Sequence, residues 1–324
     1  MGFLVRRIIF YLVAFFVAIT VNFTLPRMMP GDPFEIMFAA AQGKMPPEVM
    51  PALKAQYGFV DGPWYVQYGA YIKSILKWDL GPSILLFPTP VTEVLSYALP
   101  WTLFIAGISA LISIATGTTL GVYAAYNRGG WFDTFLSPSF LVMGAFPAVV
   151  VSMLLFYIFG LILEWFPVAY GYNPDLDAGW SLQYIGSVLY HAILPIISMV
   201  LVSIGGWLFG MRNSMINLLG EDFITMAKAK GLPEKRIMFQ YAARNAILPV
   251  VTQISMAIAF IAGGALFVEI VFNYPGLGNL MLKGVQARDY PMIQALMLII
   301  VICVLSANFI ADLLYLWLDP RLRK

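Results

Sequence analysis

The sixteen residues Glu221 to Arg236, EDFITMAKAKGLPEKR, concentrate chemistry that is scarce elsewhere: three acids, four bases, a Gly and a Pro, in a chain that is 60% hydrophobic and 11% charged. Glu221 and Asp222 open the stretch, and Lys228 and Lys230 come just before Gly231, the order that complements the dipole of a short helix. Gly231 stops that helix. Pro233 and Glu234 then start a second one, with Ile237, Met238 and Tyr241 on its apolar face. Such a helix, turn and helix has two uses. It can lie on anionic headgroups, although Glu221, Asp222 and Glu234 oppose that placement. Alternatively, it can enter a groove on another protein, where Phe223, Ala227 and Gly231 permit close approach. The residues alone leave the two even.

Other chemistries lack their residues. The single His, His191, stands apart from any metal-ligand spacing, and no G-x-x-x-x-G-K-[ST] phosphate loop occurs. PGLGNL holds a G-x-G without the strand and helix that would make it a phosphate site, so it reads as a turn. No nucleophile elbow is present, and the lone Cys303 can form no intrachain disulfide. Glu164, Glu269 and Asp312 are the acids within apolar runs. All three fall near the run ends, where a capped or snorkelling side chain is the expectation, rather than at the midplane, where ion coupling needs a charge. The formal net charge of +2 gives no ground for nucleic-acid binding.

These residues must be positioned by membrane elements. Mean hydropathy is +0.82, and six apolar runs, near 8–26, 98–124, 134–164, 191–216, 246–272 and 291–317, reach the length of about 20 residues that a helix needs to cross roughly 30 Å of hydrocarbon. The alternation that a barrel requires is absent, so the expected fold class is all-α integral membrane. The first run exceeds the usual signal-peptide core and lacks a cleavage site, so it reads as a retained helix. With an even number of spans, both termini share a side with the charged loop. That side collects twelve of the Lys and Arg residues against seven opposite, five of which sit in one long segment. The positive-inside rule then makes both termini and the loop cytoplasmic. The long segment, 27–97, becomes an external insertion punctuated by MMPGDP, GKMPPEVMP, FVDGPW and WDLGPS. Within it, the helix expected from Trp64 carries Tyr68, Tyr71, Ile72 and Ile75 near one face, as an interfacial aromatic belt or as a platform for an external partner. The chain then partitions into an N-terminal helix (1–26), the insertion (27–97) and a five-helix core (98–324) containing the loop 217–245.

The loop EDFITMAKAKGLPEKRIMFQYAARNAILPVV resembles the cytoplasmic loop of ABC importer permeases, in the longer form of the dipeptide/oligopeptide/nickel family. PRMMPGDP, WDLGPS, HAILP, VEIVFNYPGLG and LLYLWLDPRLRK extend the resemblance, in order, over nearly the whole chain, and they match the first of the two permease types. The resemblance implies a type I importer permease fold of six helices in a prokaryotic inner membrane. It also implies import of oligopeptides or oligosaccharides and three partner chains besides an external solute-binding protein and membrane lipid: a second permease and two ATPases. ATP and Mg would reside on the ATPases, with no cofactor or metal here and no enzymatic activity. Carried over by position, Glu221, Asp222, Thr225, Ala227, Lys228, Gly231, Leu232, Pro233 and Glu234 would contact an ATPase. Gly231 matches the family's near-invariant glycine, whereas Thr225-Met226-Ala227 replaces the usual Glu-Ala-Ala. Pro30, Gly31, Asp32 and Pro33, with Asn273, Pro275, Gly276 and Gly278, either simply end helices or form an external gate or binding-protein dock. Ser113, Thr116, Gln253 and Ser255 are the expected polar lining of a path. The rival is a self-sufficient channel or secondary transporter, with the loop as a surface connector.

Overall fold

The computed structural model describes residues 2–28, 62–247, 250 and 265–318. Pro30 to Pro33, Gln253, Ser255 and most of the fifth expected span lie outside those residues. The described residues are helical apart from turns, irregular segments such as 163–181, and one isolated bridge, Pro82 to Pro90. Four helices among them are long and apolar enough to cross a membrane, and a fifth crossing follows if one bent pair is a single span. By its contacts the chain forms two compact units, Met1–Trp101 with Pro275–Leu305 and Thr102–Tyr274 with Ser306–Lys324. Neither is contiguous in sequence.

In the first unit, α1 (Gly2–Met28) exposes Phe10, Leu12, Phe16 and Val17, a surface suited to hydrocarbon rather than water. Against it lies α2 (Trp64–Lys77). The Phe23 ring meets Tyr68 edge-on at 5.1 Å and Tyr71 at 5.5 Å. Thr20 Oγ1 and the Tyr68 hydroxyl share a hydrogen bond of 2.7 Å, and Asn22 Nδ2 donates to the Tyr71 hydroxyl at 3.0 Å. Two of the three aromatics of the expected belt, Tyr68 and Tyr71, are therefore spent on α1, while Trp64 remains exposed, as does the neighbouring Tyr65. Arg27 stands 3.7 Å above the Phe23 ring. Burial pushes the Tyr71 phenol up to about 12, with nearby Arg27 pulling the other way. Tyr71 therefore serves as a neutral hydrogen-bonding group.

Asp289, fully buried just before α10 (Tyr290–Leu318), completes this unit. One of its oxygens accepts from Ser83 Oγ (2.5 Å) and from the Leu85 N–H (2.9 Å), and the other accepts from the Met292 N–H at 3.0 Å. A single carboxylate thus caps α10 and holds the turn at 83–86. Between Asp289 and the second unit's boundary runs α9 (Leu277–Gln286).

The second unit is built around α3 (Val91–Tyr126), which enters it at Thr102, and α6 (Leu182–Leu219). The 38 residues of α6 run to about 57 Å at a helix's rise per residue, well beyond a hydrocarbon layer of roughly 30 Å. A helix of that length has turns to spare beyond such a layer, and its last residue, Leu219, leads into the charged loop. The two helices touch backbone to backbone where Gly117 and Gly121 repeat after one turn: a Cβ at Gly121 would stand 2.5 Å from the Leu208 carbonyl oxygen.

The run 134–164 does not form the single helix expected. A π-helical turn, Phe132–Leu136, leads into α4 (Ser137–Gly144), and α5 (Ala148–Leu155) continues as a second π-helical turn to Ile162. The two halves meet at 104°. Pro147, extended at ψ 137°, offers no N–H and excludes Phe146 from helical geometry, so the ladder stops there. The loop itself forms α7 (Asp222–Ala229), a helical turn Glu234–Arg236 and a π-helical stretch Ile237–Ala243, and α8 (Leu266–Val271) closes the unit.

Candidate functional site

The charged loop combines a fixed base with an open face. Ile224 and Ala227, three residues apart on α7, are both buried, and they join Val122 and Ala125 of α3, Met211 and Met215 of α6, and Ile237, Met238 and Ala242 further along the loop in one apolar cluster. The other side of α7 is open: Glu221, Asp222, Thr225 and Lys228 are exposed, and Met226 is 64% exposed with Phe223 near its edge. Asp222 in the first turn and Lys228 in the last complement the helix dipole.

Gly231 ends α7 in the left-handed region at φ +72°. Its N–H donates to the Lys228 carbonyl at 2.9 Å, and the Leu232 N–H returns to the Ala227 carbonyl at 3.3 Å. Two otherwise open carbonyls of the last turn are thereby satisfied. Pro233, extended at ψ 141°, then launches the next turn at Glu234, both residues remaining exposed. Of the nine residues expected at this surface, seven present themselves outward. Ala227, at 2% exposure, and Leu232, half-buried against the same cluster, face the chain's own core instead. At three-residue spacing from Ile224, Ala227 falls on the apolar side of α7, so its small size fits the helix against α3 and α6.

The remaining expected sites disperse. Ser113 lies fully buried between α3 and α6; its hydroxyl donates to the Ser109 carbonyl at 2.7 Å and shares a 2.7 Å hydrogen bond with Ser203 Oγ. It joins two helices rather than lining an opening. Thr116 is exposed, and its hydroxyl returns to the Ile112 carbonyl at 2.5 Å. Because Ser203 keeps its own bond to the Met199 carbonyl at 2.8 Å, Ser113→Ala orphans no group. The expected cost is about 0.6 kcal/mol, read as a slight fall in unfolding temperature with solute passage unchanged. A residue of the path would show the reverse. Asn273 is exposed at φ 42° and Pro275 is half-buried, but Gly276 and Gly278 are buried and offer no docking surface of their own. Glu164 is exposed, in keeping with a span-end position, whereas Glu269 is fully buried, not snorkelling. Tyr274, whose N–H donates to the Glu269 carbonyl at 2.8 Å, has its phenol raised by burial and further by the Glu269 charge. His191 borders an open hollow of about 540 Å³ with Asn173, Ser187 and Tyr190, and its Nδ1 is 2.8 Å from the Ser187 carbonyl. Among the described residues, no three His, Cys, Asp or Glu side chains converge as a metal site would require.

Sequence reading missed a two-point ion pair within the second unit. Arg212, near the end of α6, grips Asp133 through Nε (2.5 Å) and Nη2 (2.9 Å). It also missed the Gly117 and Gly121 crossing, which the small-x-x-x-small spacing signals.

Residues 117–324 match the family model described as binding-protein-dependent transport system inner membrane component. Over 322 residues, 99% of each chain, the sequence is 33% identical to a Haemophilus influenzae protein named oligopeptide transport system permease protein OppB. It is 34% identical over 301 residues to a putative peptide permease protein of Brucella suis, covering 93% of this chain and 92% of that one. To the Bacillus subtilis oligopeptide transport system permease protein AppB it is 32% identical over 305 residues, at the same coverage.

Proposed function

The chain belongs to the family of binding-protein-dependent transport system inner membrane components, and from that premise we propose that it is a permease subunit of an ATP-driven importer of oligopeptides. The relatives' names favour peptide over the oligosaccharide alternative. The reading also takes in a second permease, two ATPase subunits that hold ATP and Mg, and an external solute-binding protein, with the termini and the charged loop on the cytoplasmic side.

One observation carries the energy coupling: α7 is anchored through Ile224 and Ala227 in the cluster that contains the ends of α3 and α6, while Glu221, Asp222, Thr225 and Lys228 stay open. A helix lying on lipid would turn its apolar side to the membrane. Here that side is already buried by the chain itself, and a mixed-charge face with Phe223 and Met226 beside it is what remains for a groove in another protein. Movement imposed on the face passes through close-packed side chains, which transmit displacement rather than absorb it. ATP closing the two ATPases would then tilt α3 and α6 and alternate the access of a path to the two sides.

The test is to co-purify this chain with its neighbours, reconstitute it in lipid, and supply MgATP with a pool of radiolabelled short peptides. The expected result is a stable complex that hydrolyses ATP faster with loaded binding protein and accumulates peptide. A chain that purifies alone and passes peptide without ATP would sink the proposal in favour of a channel.

A further inference from the structure

We propose that the Asp133–Arg212 pair is the relay residue pair of this transporter: it locks the first half of the bent third span to α6, so that displacement of the charged loop reaches the break at Ala145 to Pro147. The inference rests on the importer reading above and names the residues that carry its motion.

Arg212 follows Met211, a fully buried member of the cluster that seats α7, and it lies in the part of α6 leading directly into the loop. Its guanidinium holds both oxygens of Asp133, at 2.5 and 2.9 Å, and one of these oxygens also accepts the Gly129 N–H at 3.0 Å. The side chains of Arg212 and Asp133 are 19% and 6% exposed, so the pair is shielded and its two-point geometry is kept. Asp133 sits in the π-helical turn that begins the bent span.

A second fixation lies further along the same two helices. The Phe140 backbone passes so close to Gly205 that no side chain fits, and a Cβ at Gly144 would stand 2.9 Å from the Val202 carbonyl oxygen. From Asp133 to Phe140, and from Gly205 to Arg212, is seven residues, about 10 Å of helix. Two attachments that far apart stop one helix from sliding or turning on the other. The segment from Asp133 to Gly144 thus moves as part of α6. The helix ladder ends at Phe146 and Pro147, which makes that break the first place where the third span can change direction.

A shielded ion pair is not needed merely to hold two helices together, because apolar side chains of similar volume hold them as well or better. What the fork-to-carboxylate geometry adds is a fixed register and rotation. This separates the relay from a purely structural role. The test uses the reconstituted complex with MgATP and the radiolabelled peptide pool, and it measures ATP hydrolysed per peptide accumulated. The double variant Asp133→Leu with Arg212→Met is expected to assemble like the wild type and to consume about fivefold more ATP per peptide. Arg212→Lys, which keeps the charge but loses the second contact, is expected to fall between them, and it supplies the measurement if the double variant fails to assemble. A ratio equal to that of the wild type in the assembled variants overturns the relay and leaves the importer standing. A wild-type complex that shows no ATP-dependent accumulation removes the importer reading itself and the relay with it.

Discussion

Gly231→Val is expected to lower ATP-driven peptide accumulation about thirtyfold while leaving the amount of permease in the membrane unchanged. At φ +72° a β-branched residue meets its own backbone, a strain of about 2 kcal/mol. The neighbourhood offers no second reason for a loss, because a Cβ placed at Gly231 has nothing within 4 Å. Relief of the strain requires φ to turn negative, which breaks the bonds from Gly231 to Lys228 and from Leu232 to Ala227 that end α7. The exposed face then no longer holds a fixed angle to the next turn, and an ATPase groove shaped for that angle loses its partner. Gly231→Asn separates conformation from size, since Asn tolerates the left-handed region. It should retain most of the uptake and the ATPase association in a pull-down. Equal losses for Val and Asn would show that the bare backbone, and not its conformation, is what a partner recognises.

Gly121→Leu is expected to have the largest effect on the fold. Its Cβ would lie 2.5 Å from the Leu208 carbonyl oxygen and 2.8 Å from Met211 Cβ, and both are parts of a helix that cannot rotate aside. α3 and α6 must separate, which strains the Ser113 to Ser203 bond and opens the cluster at Val122, Ala125 and Met211. Overpacking against backbone costs about 3 kcal/mol, and the unfolding midpoint in detergent should fall accordingly, with less chain recovered from the membrane. Gly107→Leu is the matched control on the same helix, because a Cβ there meets nothing within 4 Å. Equal loss at both positions would mean that glycine is needed for some reason other than the close crossing.

These two glycines show how unevenly sequence reveals a structure. Gly231 was legible because a helix stop followed by Pro and Glu is a local signal, complete within a few residues. The long apolar runs were legible for the same reason: length and hydropathy are properties of one segment. Proline was ambiguous. Pro100 and Pro195 sit inside α3 and α6, which continue past them, whereas Pro147 ends a helix and turns the chain by 104°. The difference lies in what neighbouring helices supply to the freed backbone, which one sequence does not display. Ser113 was read as path lining because an intramembrane hydroxyl has the same letter whether it faces water or another serine. Ala227 was read as a contact because the resemblance is aligned by position, while the facing of α7 is decided by what packs beneath it. Asp133 and Asp289 escaped notice because their partners stand 79 and 206 residues away. An isolated acid beside an apolar run reads as a span end unless its partner is seen.

The carboxylate of Asp289 also sets an order in time. Ser83 and Leu85 leave the ribosome long before Asp289, and Asn22 donates to the carbonyl of Gln294, 272 residues further on. At translation rates of about 5–20 residues per second, the turn at 83–86 waits about 10–40 s for the acid that will hold it. During that interval α1 and α2 can join through Phe23, Tyr68 and Tyr71, whereas the Ser83 hydroxyl, the Leu85 N–H and the Asn22 bond to Gln294 wait for Asp289 and α10. Biogenesis of this unit therefore finishes from its carboxyl-terminal side, and a nascent chain halted before residue 289 carries α1 and α2 without the bond that closes the unit.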